Sequence, residues 1–144
     1  MHTSRDIAHA VSLFYAVRRI MRAKLGKGRK LDPTTWLWIE TMKFISEEDK
    51  PRMKDIADYL SITAPSATSL VAGLMKKGFV AQAADTYDRR ALRLVLTAKG
   101  KTELKKTITR GIRLFGGLFS ALSNKELSAF VGALERIKGS STER

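Results

Sequence analysis

The stretch that decides the fold is residues 53–100, which read MKDIADYLSITAPSATSLVAGLMKKGFVAQAADTYDRRALRLVLTAKG. Apolar residues recur in it twice at the i, i+3, i+4, i+7 spacing, as Met53, Ile56, Ala57 and Leu60 and then as Ala67, Leu70, Val71 and Leu74. Because this spacing puts all four side chains on one face of an α-helix, it predicts two short amphipathic helices. Only Ser61-Ile62-Thr63 separates them, which leaves room for a tight turn. Residues 52–77 are therefore predicted to form a helix-turn-helix around one small core.

The second of these helices has clear start and stop signals. Thr63 is predicted to cap it, and Pro65 fits its first turn, where main-chain N–H groups lack helical partners. Lys77-Gly78 should end it, with a cation at the negative end of the helix dipole and a glycine free to adopt the left-handed conformation. The face opposite the apolar residues carries Ser66, Thr68, Ser69 and Lys76. Short hydrogen-bonding groups and a cation suit a helix that lies in the major groove of DNA.

A β-hairpin, or wing, is predicted to follow at residues 79–97. Phe79-Val80 opens its first strand. The second strand alternates Leu92, Leu94 and Leu96 with Arg93, Val95 and Thr97, so the leucines are expected to face inward. The loop between the strands, residues 85–90, reads DTYDRR. Two adjacent arginines at a hairpin tip suit a phosphate backbone or a narrow minor groove, where the negative potential is strongest.

These residues resemble the MarR (multiple antibiotic resistance regulator) family of winged helix-turn-helix transcription factors. The resemblance rests on Ile56-Ala57 to Leu60, Ile62-Thr63, Pro65, Thr68, Leu70-Val71, Leu74, Gly78-Phe79-Val80, Asp88-Arg89-Arg90 and Leu96-Thr97-Ala98-Lys99-Gly100. The last two pieces, an Asp-x-Arg wing that ends in Leu-Thr-x-x-Gly, are the most specific. The flanking helices fit in order and length, so the resemblance covers nearly the whole chain.

The resemblance implies a DNA-binding surface on the second helix and the wing. By it, Ser66, Thr68 and Ser69 face the major groove. Arg90 enters the minor groove at the wing tip next to Arg89, and Asp88 braces Arg90 by a charge-assisted hydrogen bond. The chain departs from the family pattern where members often carry arginine, at Ser69, Gln82 and Ala83. These departures leave open the operator sequence and the number of phosphate contacts.

Long amphipathic helices are predicted at both ends of the chain, in residues 1–31 and 101–144. Their apolar residues recur in steps of three and four, as Ile7, Val11, Phe14, Met21 and Leu25, as Leu104, Ile108, Ile112, Phe115, Phe119 and Leu122, and as Leu127, Phe130, Val131, Leu134 and Ile137. They have little core of their own to cover, so we expect them to bury these stripes against a second copy of the chain. A two-fold dimer would present its helices to major grooves about 34 Å apart and bind an inverted repeat.

The predicted fold is therefore mainly α with a small β-hairpin wing, a single domain over residues 1–144. Dimerisation helices flank a winged helix-turn-helix at residues 32–100. For two features of the helices the sequence leaves two alternatives. Gly111 and Gly116-Gly117 mark a kink or a close helix approach, or else the helix breaks near Gly116. Either Ser123 or Asn124 caps the last helix.

A further helix is predicted to start at Asp32-Pro33-Thr34-Thr35 and is apolar on most sides. In the resembled family, small aromatic or phenolic ligands lodge between such a helix and the dimer helices. The resemblance thus implies an effector pocket lined by Phe14, Tyr15, Arg18, Trp36 and Trp38. The alternative is that the two tryptophans belong to the core or to an interface.

The charge of the chain points to a polyanionic partner. The net charge is +13 over 144 residues, and residues 1–31 alone hold eight Lys or Arg against one acid. Such a balance favours nucleic acid as the partner. The basic residues of the first segment, including Lys27-Gly28-Arg29-Lys30, form either a solvated surface or extra contacts to the DNA backbone.

Several other classes of protein find little support. The chain has no cysteine, which excludes disulfides and cysteine-based oxidation sensing. His2 and His9 lack a second ligand at metal spacing, Gly26-Lys27-Gly28 lacks the pattern of a phosphate-binding loop, and Glu47-Glu48-Asp49 lies in a polar turn. We therefore predict no enzyme activity, metal or cofactor. With no long apolar run and no signal-peptide pattern, no membrane partner is expected and the cytoplasm is the expected location.

The sequence thus predicts a sequence-specific DNA-binding transcriptional regulator, a homodimeric repressor that binds an inverted-repeat operator and is released by a small-molecule effector. The alternative is a winged-helix module that binds DNA without sequence preference or docks a partner protein. A third interpretation places the basic helix at residues 5–24 on an anionic membrane. The prediction requires the flank around Thr68 and the arginine-tipped hairpin to lie on the same side of the molecule.

Overall fold

The computed structural model describes residues 1–25, 33–85, 87–88 and 90–140. Over these residues the elements are α1 (Ser4–Leu25), α2 (Pro33–Glu47), α3 (Met53–Leu60), α4 (Ala64–Lys76), β1 (Val80–Ala84), β2 (Leu92–Leu96), α5 (Ala98–Phe119) and α6 (Asn124–Ser140). The predicted fold class, mainly α with a β-hairpin wing, is confirmed. The chain divides into two compact units, Met1–Arg110 and Gly111–Arg144. The basic run at residues 27–30 and the start of α2 at Asp32 lie outside the described residues.

The helix-turn-helix forms where the apolar spacing predicts it. Thr63 caps α4, since its side-chain oxygen accepts the main-chain N–H of Ser66 at 3.4 Å, and Pro65 lies in the first turn. Gly78 follows the helix with φ of +75°, the left-handed conformation that the stop signal predicts. Between the helices, Ser61 adopts the same conformation with φ of +52° and turns the chain into α4.

The core of the first unit joins α4 to every other element of the winged helix. Its buried members come from α2 to α5 and are Met42, Ile45, Ile56, Ala57, Ala67, Val71, Leu74, Val80, Leu94 and Leu104. Burying one large aliphatic side chain stabilises a fold by about 1.5–3 kcal/mol. Because Leu74 of α4 and Leu94 of the wing are packed in this same cluster, the position of the wing relative to α4 is set by shared packing.

The wing is a two-stranded antiparallel hairpin. Its register pairs Val80 with Leu96 and Ala84 with Leu92. Leu94 faces the core and is 1% exposed, as predicted, but Leu92 is 54% exposed, so the prediction of three inward leucines is wrong at this position. The reason is its place in the ladder. Leu92 pairs with the last residue of β1, at the end next to the loop, where the hairpin extends beyond the core.

The helices outside the winged helix present apolar side chains to solvent. In α1, Phe14 is 68% exposed and most of its neighbours are similarly open. Helix α5 continues through Gly111 and Gly116-Gly117 to Phe119, so the helix does not break near Gly116. No helix in the described part of the chain is both long and apolar enough to cross a membrane.

The second unit contains α6, and Ser123 provides its cap. The hydroxyl of Ser123 accepts the main-chain N–H of Glu126 at 3.3 Å, and the Glu126 carboxylate accepts the main-chain N–H of Ser123 at 2.8 Å. This reciprocal pair is a capping box. Of the two candidate caps, it is therefore Ser123 that closes the helix start.

Candidate nucleic-acid interface

The exposed side of α4, which we call the polar face, carries all four predicted residues: Ser66, Thr68, Ser69 and Lys76. The hydroxyl of Thr68 donates to the carbonyl of Ala64 at 3.0 Å. The two lone pairs of this hydroxyl and the methyl group of Thr68 make a base amino group or a thymine methyl suitable partners. The Ser66 and Thr63 hydroxyls lie 2.8 Å apart and share one hydrogen bond, which ties the start of the polar face to the helix cap.

Trp38 of α2 supports α4 from behind. A Cβ added to Gly73 would lie 3.3 Å from the Trp38 ring, so the absence of a side chain there lets the indole pack tightly on the helix. The Lys77 ammonium lies 5.0 Å from the centroid of the same ring, within reach of a cation–π interaction. Trp38 therefore contributes to the packing that positions the polar face.

The wing tip presents Arg90 to solvent, and Asp88 fixes its main chain. The Asp88 carboxylate accepts the main-chain N–H of Arg90 at 2.9 Å. The predicted charge-assisted hydrogen bond to Arg90 is thus made to its main-chain amide. Among the described residues, no ion pair joins the Asp88 carboxylate to the Arg90 guanidinium. The short aspartate reaches the amide two residues on, a common local turn. Arg89 lies outside the described residues.

A buried carboxylate at the base of the wing, Asp85, was missed by sequence reasoning. Its side chain is only 6% exposed. One oxygen accepts from Arg93 Nη2 at 2.7 Å and Nε at 2.8 Å, and from Arg52 Nη2 at 3.4 Å. The other accepts the main-chain N–H of Tyr87 at 3.0 Å. The Tyr87 amide, then Arg93, lower the pKa of Asp85 to about 2, so the carboxylate is charged at neutral pH.

The same network joins the wing to the segment that precedes α3. Arg93 also donates from Nη1 to the carbonyl of Lys50 at 3.1 Å, and the main-chain N–H of Leu94 donates to the carbonyl of Pro51 at 2.9 Å. Arg52 is itself the residue that caps α3. The wing is thus bonded to the start of the helix-turn-helix as well as packed against its core.

The Leu-Thr-x-x-Gly segment closes the other end of the wing. The hydroxyl of Thr97 donates to the carbonyl of Gly78 at 2.6 Å and accepts the main-chain N–H of Gly100 at 2.9 Å. The main-chain N–H of Thr97 donates to the carbonyl of Phe79 at 3.0 Å. Thr97 therefore caps α5 and clamps the exit of the wing to its entrance.

The residues of the predicted effector pocket lie in different environments. Phe14 and Tyr15 are more than 60% exposed on α1, Trp36 is 49% exposed, and Trp38 packs against the core. Arg18 is exposed as well. An apolar cavity of about 290 Å³ does lie along α5, but its lining contains none of the five and comprises Ser46, Leu96, Lys101, Leu104, Lys105, Ile108 and Thr109. The pocket predicted from the resemblance stays a prediction.

Comparison with known proteins shows which family this chain resembles. Residues 32–91 match the sequence model of the MarR family. A comparison with curated proteins finds no match.

Among solved structures, a MarR family protein from Bacillus stearothermophilus is 16% identical, with a TM-score of 0.81 over 99% of this chain and 100% of that one. Streptococcus pneumoniae FabT in complex with DNA is 19% identical, with a TM-score of 0.72 over 96% of both chains. The regulator BldR from Sulfolobus solfataricus is 24% identical, with a TM-score of 0.68 over 96% of this chain and 99% of that one. At these identities the structural likeness shows the fold. The family match over residues 32–91, with the winged helix-turn-helix described above, supports the assignment of this part of the chain to the MarR family of DNA-binding transcriptional regulators.

Proposed function

We propose that this protein is a sequence-specific repressor that binds an inverted-repeat operator as a homodimer and is released by a small aromatic or phenolic ligand. The observation that carries the proposal is that the polar face of α4 and the wing are built on one core, and that the Asp85 network bonds the wing to the segment before α3. A helix and a wing held at a fixed spacing can engage one stretch of duplex at two neighbouring grooves.

In this proposal two groups of residues make different contacts to the DNA. Lys76 and Arg90 are exposed cations that contact phosphate or the minor groove, and the net charge of +13 strengthens attraction to DNA over the whole surface. Ser66, Thr68 and Ser69 read base edges in the major groove. FabT, a solved structure with the same fold, is described in complex with DNA, which supports DNA as the partner.

The dimer is proposed from apolar surface that one chain leaves open. Ile7 and Phe14 of α1 are 56% and 68% exposed, Ile112 of α5 is 69% exposed, and Ile137 of α6 is 63% exposed. Helical faces with this much exposed aliphatic and aromatic surface are typical of interaction sites. A second copy of the chain offers matching faces, and two-fold symmetry is the commonest arrangement of such pairs.

Selection of bound sites from random duplex DNA tests the proposal. The wild-type chain should enrich an inverted repeat and bind it about 10³-fold or more tightly than random duplex of the same length at the same salt. Equal affinity for both would instead support the alternative, a winged helix that binds DNA without sequence preference. Release by a ligand is tested separately, by titrating salicylate into the operator complex as a simple phenolic probe.

A further inference from the structure

Tyr87 is the most exposed aromatic residue in the described part of the chain, with 98% of its surface open. It lies at the wing tip, three residues before Arg90. Tyrosine has a large apolar ring with a polar end. Such a side chain contributes most binding free energy when the ring is covered and the hydroxyl forms a hydrogen bond. Its place at the tip, near the exposed Arg90 in the chain, puts it where the wing would meet DNA.

The main chain at Tyr87 is set in the free protein. The Asp85 carboxylate accepts its N–H at 3.0 Å, and that carboxylate is in turn held by Arg93 and Arg52. Asp88 holds the N–H of Arg90 in the same way at 2.9 Å. Two aspartates three positions apart therefore each fix the residue two places further on, first the tyrosine and then the arginine.

Two main-chain bonds join described residues on either side of the tip. The N–H of Ala91 donates to the carbonyl of Asp88 at 3.0 Å, and the N–H of Asp85 donates to the carbonyl of Ala91 at 3.2 Å. Residues whose main chain is fixed before binding, as at Tyr87 and Arg90, lose less conformational freedom when they contact DNA. The bonds to Asp85 and Asp88 are made by the main-chain amides of Tyr87 and Arg90. The exposed side chains of both residues can therefore contact DNA.

We propose that Tyr87 is a second minor-groove contact of the wing, beside Arg90, and that Asp85 is the positioning residue that sets it in place. This rests on the proposed DNA-binding function. The ring would cover the deoxyribose wall of the groove, and its hydroxyl would donate to an acceptor on the groove floor, adenine N3 or thymine O2. Because the side chain is neutral, it adds affinity without adding to the salt dependence. Because its hydroxyl donates to the acceptors of A·T pairs, it adds a preference for these pairs.

The test uses the operator selected by the wild-type chain and measures dissociation constants over a series of salt concentrations. Tyr87→Ala is expected to weaken operator binding about 10-fold, the effect of removing one covered ring, with an unchanged salt slope. Tyr87→Phe retains the ring and should recover most of that affinity. Because the side chain is exposed, thermal unfolding of both variants should match the wild type.

A double-mutant cycle tests the role of Asp85. Asp85→Asn is expected to weaken binding on its own, and by a smaller factor in the Tyr87→Ala background, since part of its effect is the loss of the Tyr87 contact. Additive effects of the two changes would overturn the positioning role. Operator binding by Tyr87→Ala within 2-fold of the wild type would overturn the contact itself while leaving the proposed function intact, whereas a wild-type chain with no preferred sequence would overturn both.

Discussion

A Cβ atom built on Gly100 would lie 2.0 Å from the carbonyl oxygen of Phe79, far inside any permitted contact. The first turn of α5 thus passes so close to the entrance of the wing that only glycine fits. This is a physical reason for the glycine of the Leu-Thr-x-x-Gly segment, and it does not depend on left-handed backbone. The contact belongs to the clamp that Thr97 forms between both ends of the wing.

Replacing Gly100 with alanine should therefore destabilise the fold. The added methyl group must displace main chain and not a flexible side chain, and we expect the free energy of unfolding to fall by about 1–3 kcal/mol or more. Gly117 lies in the same helix with nothing within 4 Å of its added Cβ. Gly117→Ala is thus the matched control and should stabilise by about 0.5–1 kcal/mol. Urea unfolding measures both, and a Gly100→Ala chain as stable as the wild type would refute the close approach.

The Asp85 network predicts a specific pH dependence of stability. Its pKa is lowered to about 2 in the folded chain, below the ordinary value of 3.8, so the unfolded chain takes up a proton first as the pH falls. The stabilisation is complete above about pH 4 and is lost between pH 4 and pH 2. Asp85→Asn should unfold at lower urea than the wild type at pH 7, and the difference should shrink at pH 2.5. If the difference in urea midpoint between the two chains stays constant over this pH range, the charge of Asp85 does not stabilise the fold.

Arg90 should contribute to the salt dependence of operator binding. Arg90→Ala removes one cation from each wing, so the slope of log K against log salt should fall by about one unit for each wing, or about two per dimer. Lys125→Ala, an exposed cation of α6, is the control and should leave the slope nearly unchanged. A titration in which Arg90→Ala keeps the full slope would remove Arg90 from the interface.

The polar face of α4 should govern discrimination between sequences. Replacing Ser66 and Thr68 with alanine is expected to weaken operator binding more than binding to random duplex, by about 1–3 kcal/mol for each base edge that is no longer recognised. Thr68→Val removes the hydroxyl but retains the methyl group and shows which of the two is read. If affinity for operator and for random DNA falls equally, these residues only contact the backbone.

The exposed apolar residue Ile112 offers a test of the dimer. Ile112→Lys would place a charge on a face that we propose is covered by a second copy, and sedimentation should shift from dimer to monomer. Binding to the full inverted repeat should weaken, while binding to a half-site should change little. A wild-type chain that sediments as a monomer at micromolar concentration would contradict the proposed dimer directly.

Local patterns predicted the helix-turn-helix well, because its signals are all within a few residues of one another. Each of three signals depends only on residues within a turn or two of the helix: the apolar spacing, the Thr63 cap and the Gly78 stop. The cap of α6 is equally local, and the sequence narrows it to Ser123 or Asn124, of which Ser123 caps the helix. These elements could be predicted without knowledge of the tertiary structure.

The base of the wing could not be predicted in this way. Asp85 meets Arg52, which is 33 residues earlier in the chain, and its burial depends on how the hairpin packs against that segment. Asp88 lies where the resemblance implies, and its carboxylate accepts the main-chain N–H of Arg90. Which group of Arg90 it bonds depends on the geometry of the loop and could not be read from the sequence. The alternation in β2 likewise predicts which side Leu92 faces but not where the core ends.

The polar face of α4 and the wing are proposed to engage one stretch of duplex together. Since the chain has no cysteine, single cysteines can carry a DNA-cleaving iron chelate at Ala72, an exposed residue of α4 for which no base contact is proposed, or at Leu92, the exposed residue beside the wing loop. We expect Ala72→Cys to cleave within each half-site and Leu92→Cys to cleave the immediately flanking base pairs of the same operator. Cleavage from Ala72→Cys alone, with none from Leu92→Cys on bound operator, would contradict joint engagement.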